Sequence, residues 1–135
     1  METGHSDVTT EGIRIQVAAQ YLPEQSLPHQ RRFCYAYRVR ITNEGDETAK
    51  LISRRWVITD AKGDVEVVEG PGVVGKQPRL APGERHEYMS GSTLPTEWGT
   101  MEGHYVMRRD EGGTFEAEIG RFFLAKNTAQ ISSQP

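Results

Sequence analysis

An antiparallel β-sandwich is the fold this sequence predicts, and three observations predict it. Apolar side chains recur at every second position through most of the chain, the spacing of a strand with one buried face. Clusters of Gly, Pro, Asn and Asp break these runs at short intervals, as turns between neighbouring strands do. No stretch carries the 3.6-residue spacing of an amphipathic helix. Roughly seven short strands with this punctuation fit an all-β, immunoglobulin- or fibronectin type III-like pair of sheets packed face to face.

The first ten residues, METGHSDVTT, show no periodicity and are expected to form a flexible tail. Alternation begins at Ile13, Ile15, Val17 and Ala19. In FCYAYRVRI, residues 33–41, Phe33, Tyr35, Tyr37, Val39 and Ile41 share one parity, and Cys34, Ala36, Arg38 and Arg40 share the other. Ile52, Trp56 and Ile58 repeat the pattern, as do Val65 with Val67 and Tyr105 with Met107. Phe115, Ala117 and Ile119 continue it until Gly120, where the apolar parity passes to Phe122 and Leu124; a β-bulge at Gly120 accounts for the slip. NEGDE, DAKG, APGE and DEGGT, beginning at residues 43, 60, 81 and 110, supply turns. Residues 11–126 thus read as one domain, and residues 127–135 as a second flexible tail.

Bulk composition excludes several function classes. The 135 residues carry 16 Lys and Arg against 19 Asp and Glu, a formal net charge of −3, so no global field draws the chain onto nucleic acid, which leaves only a local basic patch for such a partner. One cysteine, Cys34, rules out an intrachain disulfide and a Cys-rich metal site and suits a reducing compartment. The N-terminus has no apolar signal segment and no run approaches the roughly 20 apolar residues of a membrane span. A cytoplasmic protein is the expectation.

Gly70–Gly75 spell GPGVVG, a match to the G-x-G-x-x-G fingerprint around pyrophosphate. That fingerprint works when a strand enters the glycine turn and a helix leaves it, so that the free amides of the helix face the phosphates. Here a strand enters, but KQPRLAPG follows, whose prolines and glycine cannot open a helix, and Pro71 has no amide hydrogen. Two readings remain. Gly70, Gly72 and Gly75 form an amide nest for an anion with charge from Lys76 and Arg79, or they are hinges while Val73 and Val74 plug the core.

Other constellations are weaker. His5, His29, His86 and His104 show no metal-site spacing, and no metal or cofactor is expected. Ser90 lacks the strand-turn-helix of a nucleophile elbow, Cys34 reads as an inert thiol, and the acids near residues 45 and 110 look like turns, so no catalytic residue is assigned and polyphosphate hydrolysis is not expected. GSTLPTEWGTMEGHY places Trp98 and Met101 outside an evident strand, where they either anchor a protein partner or fold back as a cap. Arg38, Arg40, Arg54 and Arg55 would form a basic patch if their strands were neighbours.

Three blocks carry a family resemblance: W-x-I-x-D-x-x-G at Trp56–Gly63, GVVG-x-QP-x-L-x-PG at Gly72–Gly83, and Y-x-SG-x-x-L with G-x-M-x-G-x-Y at Tyr88–Tyr105. From about Ile13 to Leu124 the chain resembles the bacterial ApaG family. The resemblance implies a fibronectin III- or immunoglobulin-like domain, a genetic link to cobalt and magnesium tolerance, and neighbourhood of a diadenosine tetraphosphate hydrolase gene. Related domains in eukaryotic F-box proteins and a DNA-polymerase-interacting protein look like protein-binding modules. The expectation is a non-enzymatic binding module with an unknown protein partner; the alternative is a receptor for a phosphorylated small ligand, pyrophosphate or a dinucleotide polyphosphate, through GPGVVG. Open sheet edges leave a homodimer in play.

Overall fold

Period-two alternation draws most of the described residues into strands. The computed structural model describes residues 4–126. Among these, nine strands follow one another: β1 (His5–Thr10), β2 (Ile13–Tyr21), β3 (Phe33–Asn43), β4 (Ala49–Asp60), β5 (Val65–Pro71), β6 (Arg79–Leu80), β7 (Arg85–Leu94), β8 (Trp98–Arg109) and β9 (Thr114–Ala125). A 3-10 turn at Pro28–Gln30 interrupts the connection from β2 to β3. The first sheet has the order β1-β2-β3-β7; the second has β5-β4-β8-β9, with β6 beside β4. All pairings are antiparallel, and the all-β sandwich is confirmed with two strands more than expected.

The core lies where the two inner faces meet. Ile13, Ile15 and Val17 of β2 and Tyr35, Tyr37, Val39 and Ile41 of β3 are buried against Leu51, Trp56, Tyr105, Met107, Ile119 and Phe122 of the other sheet. Trp56 is its aromatic centre: its ring lies 5.3 Å from Tyr37 and meets Phe122 edge-on at 6.0 Å.

Several sequence expectations change. The first ten residues are not all tail, because His5–Thr10 form β1 and pair in full register with Ile13–Ala18. Val65 and Val67 do alternate, but on the outer face of edge strand β5, 60% and 44% exposed; Val68 and Gly70 face the core side. The C-terminal tail, residues 127–135, lies outside the described residues.

Two bulges set the side-chain directions. In β9, Gly120 and Arg121 together oppose Glu102 of β8, which is the slip expected from the sequence. In β4, Ile52 is the extra residue, between the pairs Leu51 with Met107 and Ser53 with Val106. Ile52 therefore does not share the core parity of Trp56 and Ile58; Leu51 takes the core position before the bulge and Arg54 follows it.

The sandwich is closed along one long side and open along the other. On the closed side, a Cβ on Gly120 would stand 2.7 Å from Val8 Cγ2, so the glycine admits β1, and Thr10 Oγ1 accepts the Glu118 amide at 3.2 Å. On the open side stand the edge strands β7 and β5. The inward face of β7 is polar there: His86, Tyr88, Ser90 and Ser92 pair with Ile41, Val39, Tyr37 and Tyr35 of β3, whose side chains point between the sheets.

Candidate functional site

The open seam gathers polar chemistry around one arginine. After the Ile52 bulge, Arg54 falls on the core-facing parity of β4 and enters the seam half-buried. Its Nη1 donates to the carbonyls of Pro71 at 3.1 Å and Gly72 at 3.0 Å. A Cβ on Gly70 would lie 3.0 Å from both Nη atoms, so Gly70 gives the guanidinium room to lie against the backbone of β5. Opposite, the hydroxyls of Tyr37 and Ser90 hydrogen-bond, and deeper in the seam Tyr88 and Tyr105 join hydroxyl to hydroxyl.

Burial pushes the Tyr37 phenol above its ordinary range, with the Ser90 hydrogen bond and the Arg54 charge opposing it. Burial also holds the Tyr88 and Tyr105 phenols up, so these groups act as neutral donors and acceptors near neutral pH. Two adjoining cavities open here, of about 160 and 240 Å³. Both are lined by Tyr37, Arg54, Trp56 and Ser90.

The glycine loop closes one end of this seam, and its amides are largely engaged. Gly72 donates to Ile52 O at 3.0 Å, while Val73 and Lys76 exchange hydrogen bonds at 2.8 and 3.0 Å. Val74 and Gly75, with φ of 47° and 77°, form the two-residue tip of this small hairpin. A Cβ at Gly72 would collide with the Lys76 carbonyl. Of the two valines expected to plug the core only Val73 does so; Val74 is 63% exposed on the tip. Arg79 lies on β6 and pairs with Asp110 at 2.6 Å, and the Lys76 charge helps burial depress the His86 pKa. Gly70, Gly72 and Gly75 thus serve a close crossing and a tight turn, and they are not gathered with Lys76 and Arg79 into one nest.

Trp98 and Met101 part company. Both belong to β8, on opposite faces. Met101 is 1% exposed, paired in register with Ile58, and is core rather than a partner contact, because the strand turns its side chain between the sheets. Trp98 is 46% exposed and tilted against Phe123 at 5.9 Å on the outer face. A shallow hollow of about 390 Å³ lies there, bounded by Glu97, Trp98, Phe123, Ala125 and Lys126. The bend before Trp98 is fixed from inside, where the buried Tyr35 hydroxyl donates to Glu97 O at 2.6 Å. Thr96 Oγ1 donates to Trp98 O at 2.7 Å.

The remaining candidates do not assemble. Arg38 and Arg40 lie in the first sheet and Arg54 and Arg55 in the second, so the four cannot merge into a patch; Arg40 pairs with Glu87 and Arg55 with Glu69. Cys34 is half-buried on the outer parity of β3 rather than in the core, its thiol 3.3 Å from Gln25 O. Among the described residues no three His, Cys, Asp or Glu side chains converge as a metal site would require, and no helix is long and apolar enough to cross a membrane.

The model of the ApaG domain family matches residues 23–109. The chain belongs to the ApaG family. It is 50% identical over 116 residues to Protein ApaG of Acidithiobacillus ferrooxidans, covering 86% of this chain and 91% of that protein. With Protein ApaG of Rhodospirillum centenum it shares 52% over 120 residues, or 89% and 92% of the two chains. The crystal structure of the putative ApaA protein from Bordetella pertussis superposes with a TM-score of 0.82 at 46% identity, covering 93% of this chain and 97% of that one. The C-terminal domain of wzt, at 10% identity and a TM-score of 0.50 over 90% of this chain and 77% of that one, shares the fold alone.

The blocks that mark the chain as ApaG-like converge in space. Trp56 of the first, Val73 of the second, and Tyr88, Ser90 and Tyr105 of the third line or back the seam. Asp60 of the first block holds the β4–β5 turn by accepting the amides of Lys62 and Asp64 at 2.8 and 3.1 Å. In the second block Gln77 Nε2 donates to Ile52 O at 2.9 Å and pins the β4 bulge. Arg54, the charge at the centre, escapes a reading by parity, because the bulge that turns it inward leaves no mark in an alternating pattern.

Proposed function

We propose that this ApaG-family chain is a cytoplasmic, non-enzymatic binding module that docks a protein partner on the outer face of the β8–β9 pair. The carrying observation is Trp98, held half-exposed over Phe123 by fixed backbone on either side. Large aromatic side chains fixed beside a shallow apolar hollow are frequent binding hot spots, since they lose little rotamer freedom on association. Lys126 stands beside the hollow over the rings of Tyr21 and Phe33 and 3.9 Å from Glu97, which favours a partner presenting an apolar side chain next to a carboxylate. Non-enzymatic action rests on the isolation of the nucleophile candidates: Ser90 bonds to Tyr37 and Cys34 to a backbone carbonyl, neither to an acid-base pair. On this reading a link to cobalt and magnesium tolerance acts through the partner.

The glycine-loop alternative, capture of pyrophosphate or a dinucleotide polyphosphate by Gly70–Arg79, has less support, because the amides of Gly72, Val73 and Lys76 already donate to carbonyls. The deciding experiment is cross-linking capture from the native host with wild type, Trp98→Ala and Val65→Ala, the last an exposed control on β5. A partner captured by wild type and Val65→Ala but lost with folded Trp98→Ala supports the site. Equal capture by all three sinks it.

A further inference from the structure

We propose that the seam between β5 and β7 is a second binding site, for a small organic carboxylate bearing a flat apolar group, gripped by Arg54. It is independent of the Trp98 surface. A guanidinium turned between two sheets loses hydration, and such charges are normally matched by a carboxylate. The other half-buried arginines, Arg14, Arg40, Arg55 and Arg109, each have one, and the remaining arginines are exposed. Among the described residues Arg54 has none, although it is the arginine that shares the core parity of Trp56.

Its bonds to the Pro71 and Gly72 carbonyls orient the group without neutralising it, and both use Nη1. The edge formed by Nε and Nη2 donates to no protein atom among the described residues, and these two parallel donors match the two oxygens of a carboxylate. Tyr37, Tyr88 and Ser90 add hydroxyls around the same space, and no acidic side chain lines either cavity. One cation balances one negative charge, which favours a carboxylate over a phosphate dianion. The smaller cavity, about 160 Å³, is bounded on its apolar side by Trp56, Ile58, Val68 and Met101. That is close to the roughly 150 Å³ that accommodates a benzene ring in a protein core. Val73 and the exposed, positive-φ Val74 border the larger one.

The test is a titration of the full chain at neutral pH with benzoate, its neutral isostere benzamide, phenyl phosphate and inorganic phosphate, following the Arg54 side-chain Nε–H and Trp56 indole NMR signals. Benzoate is expected to shift both saturably, with benzamide weaker by about tenfold or more. Arg54→Lys, which keeps the charge and loses the fork, is expected to weaken benzoate by about tenfold while leaving benzamide unchanged. Trp98→Ala should leave every titration unaltered, so this site and the partner surface fail separately. Absence of saturable benzoate shifts, equal binding of benzamide, or unchanged affinity in folded Arg54→Lys overturns the site. Tighter binding of either phosphate overturns the carboxylate assignment. Should Arg54→Lys not fold, the wild-type comparison of benzoate with benzamide decides alone.

Discussion

Asn43 is fully buried and uses every polar atom of its side chain: Nδ2 donates to Glu47 O at 2.8 Å and Leu80 O at 2.9 Å, and Oδ1 accepts from Gly45 N at 2.9 Å. Asn43→Ala strands an amide and two carbonyls and should cost about 2–4 kcal/mol, read as a lowered urea midpoint. Val74 presents the opposite case. A β-branched residue at φ 47° is strained, and the two-residue turn it occupies favours Asn at that position. Val74→Asn should therefore raise stability by roughly 0.5–1 kcal/mol in the same assay. His86 gives a pH dependence: burial first, and the Lys76 charge second, hold its pKa below the ordinary 6.5. The unfolded chain then binds the proton more readily, so stability falls as pH drops from 6.5 through the lower folded value. His86→Gln should flatten that slope in urea midpoints compared across this window. None of these three environments is readable locally, since each is made by residues distant in the chain or by backbone geometry.

At the scale of the strand, β8 is narrowed by its glycines. A Cβ on Gly99 would sit 2.5 Å from the Thr59 carbonyl, and one on Gly103 would overlap the Arg55 carbonyl of β4. Gly103→Ala must push β4 and β8 apart at the centre of the sheet and should cost roughly 2–4 kcal/mol, visible as a lower thermal midpoint. The bulge in β9 was legible because the apolar parity changes across Gly120, and glycine is where such a change is easiest. The bulge in β4 was not, because Ile52 is apolar on either register and the inward residue after it is Arg54. Met101 was misplaced for a related reason: the glycines around it suggested a loop, whereas they permit close approach within a strand.

At the scale of the molecule, the sandwich has one sealed and one open side. β1 seals the first by lying over Gly120. Deleting residues 1–10 uncovers β2 and β9 together, and the expected result is a thermal midpoint lower by about 5 °C or more, with unchanged far-ultraviolet strand signal at low temperature. An unaltered midpoint would mean that β1 is dispensable. The open side is where the family-marking blocks meet and where an inward arginine lies among tyrosines, an arrangement produced by five strands drawn from both sheets.

The amino-acid order alone specifies that the fold is all-β, which residues of β2, β3 and β9 form the buried stripe, where the β9 bulge falls, and to which family the chain belongs. The tertiary structure decided that His5–Thr10 is a strand, that Val65 and Val67 face outward, that Trp98 is exposed while Met101 is core, and that Arg54 points between the sheets. The reason is that a period of two shows which residues share a face of one strand. Which face meets the opposite sheet is set by register, bulges and edge position, and those belong to pairs of strands far apart in the chain.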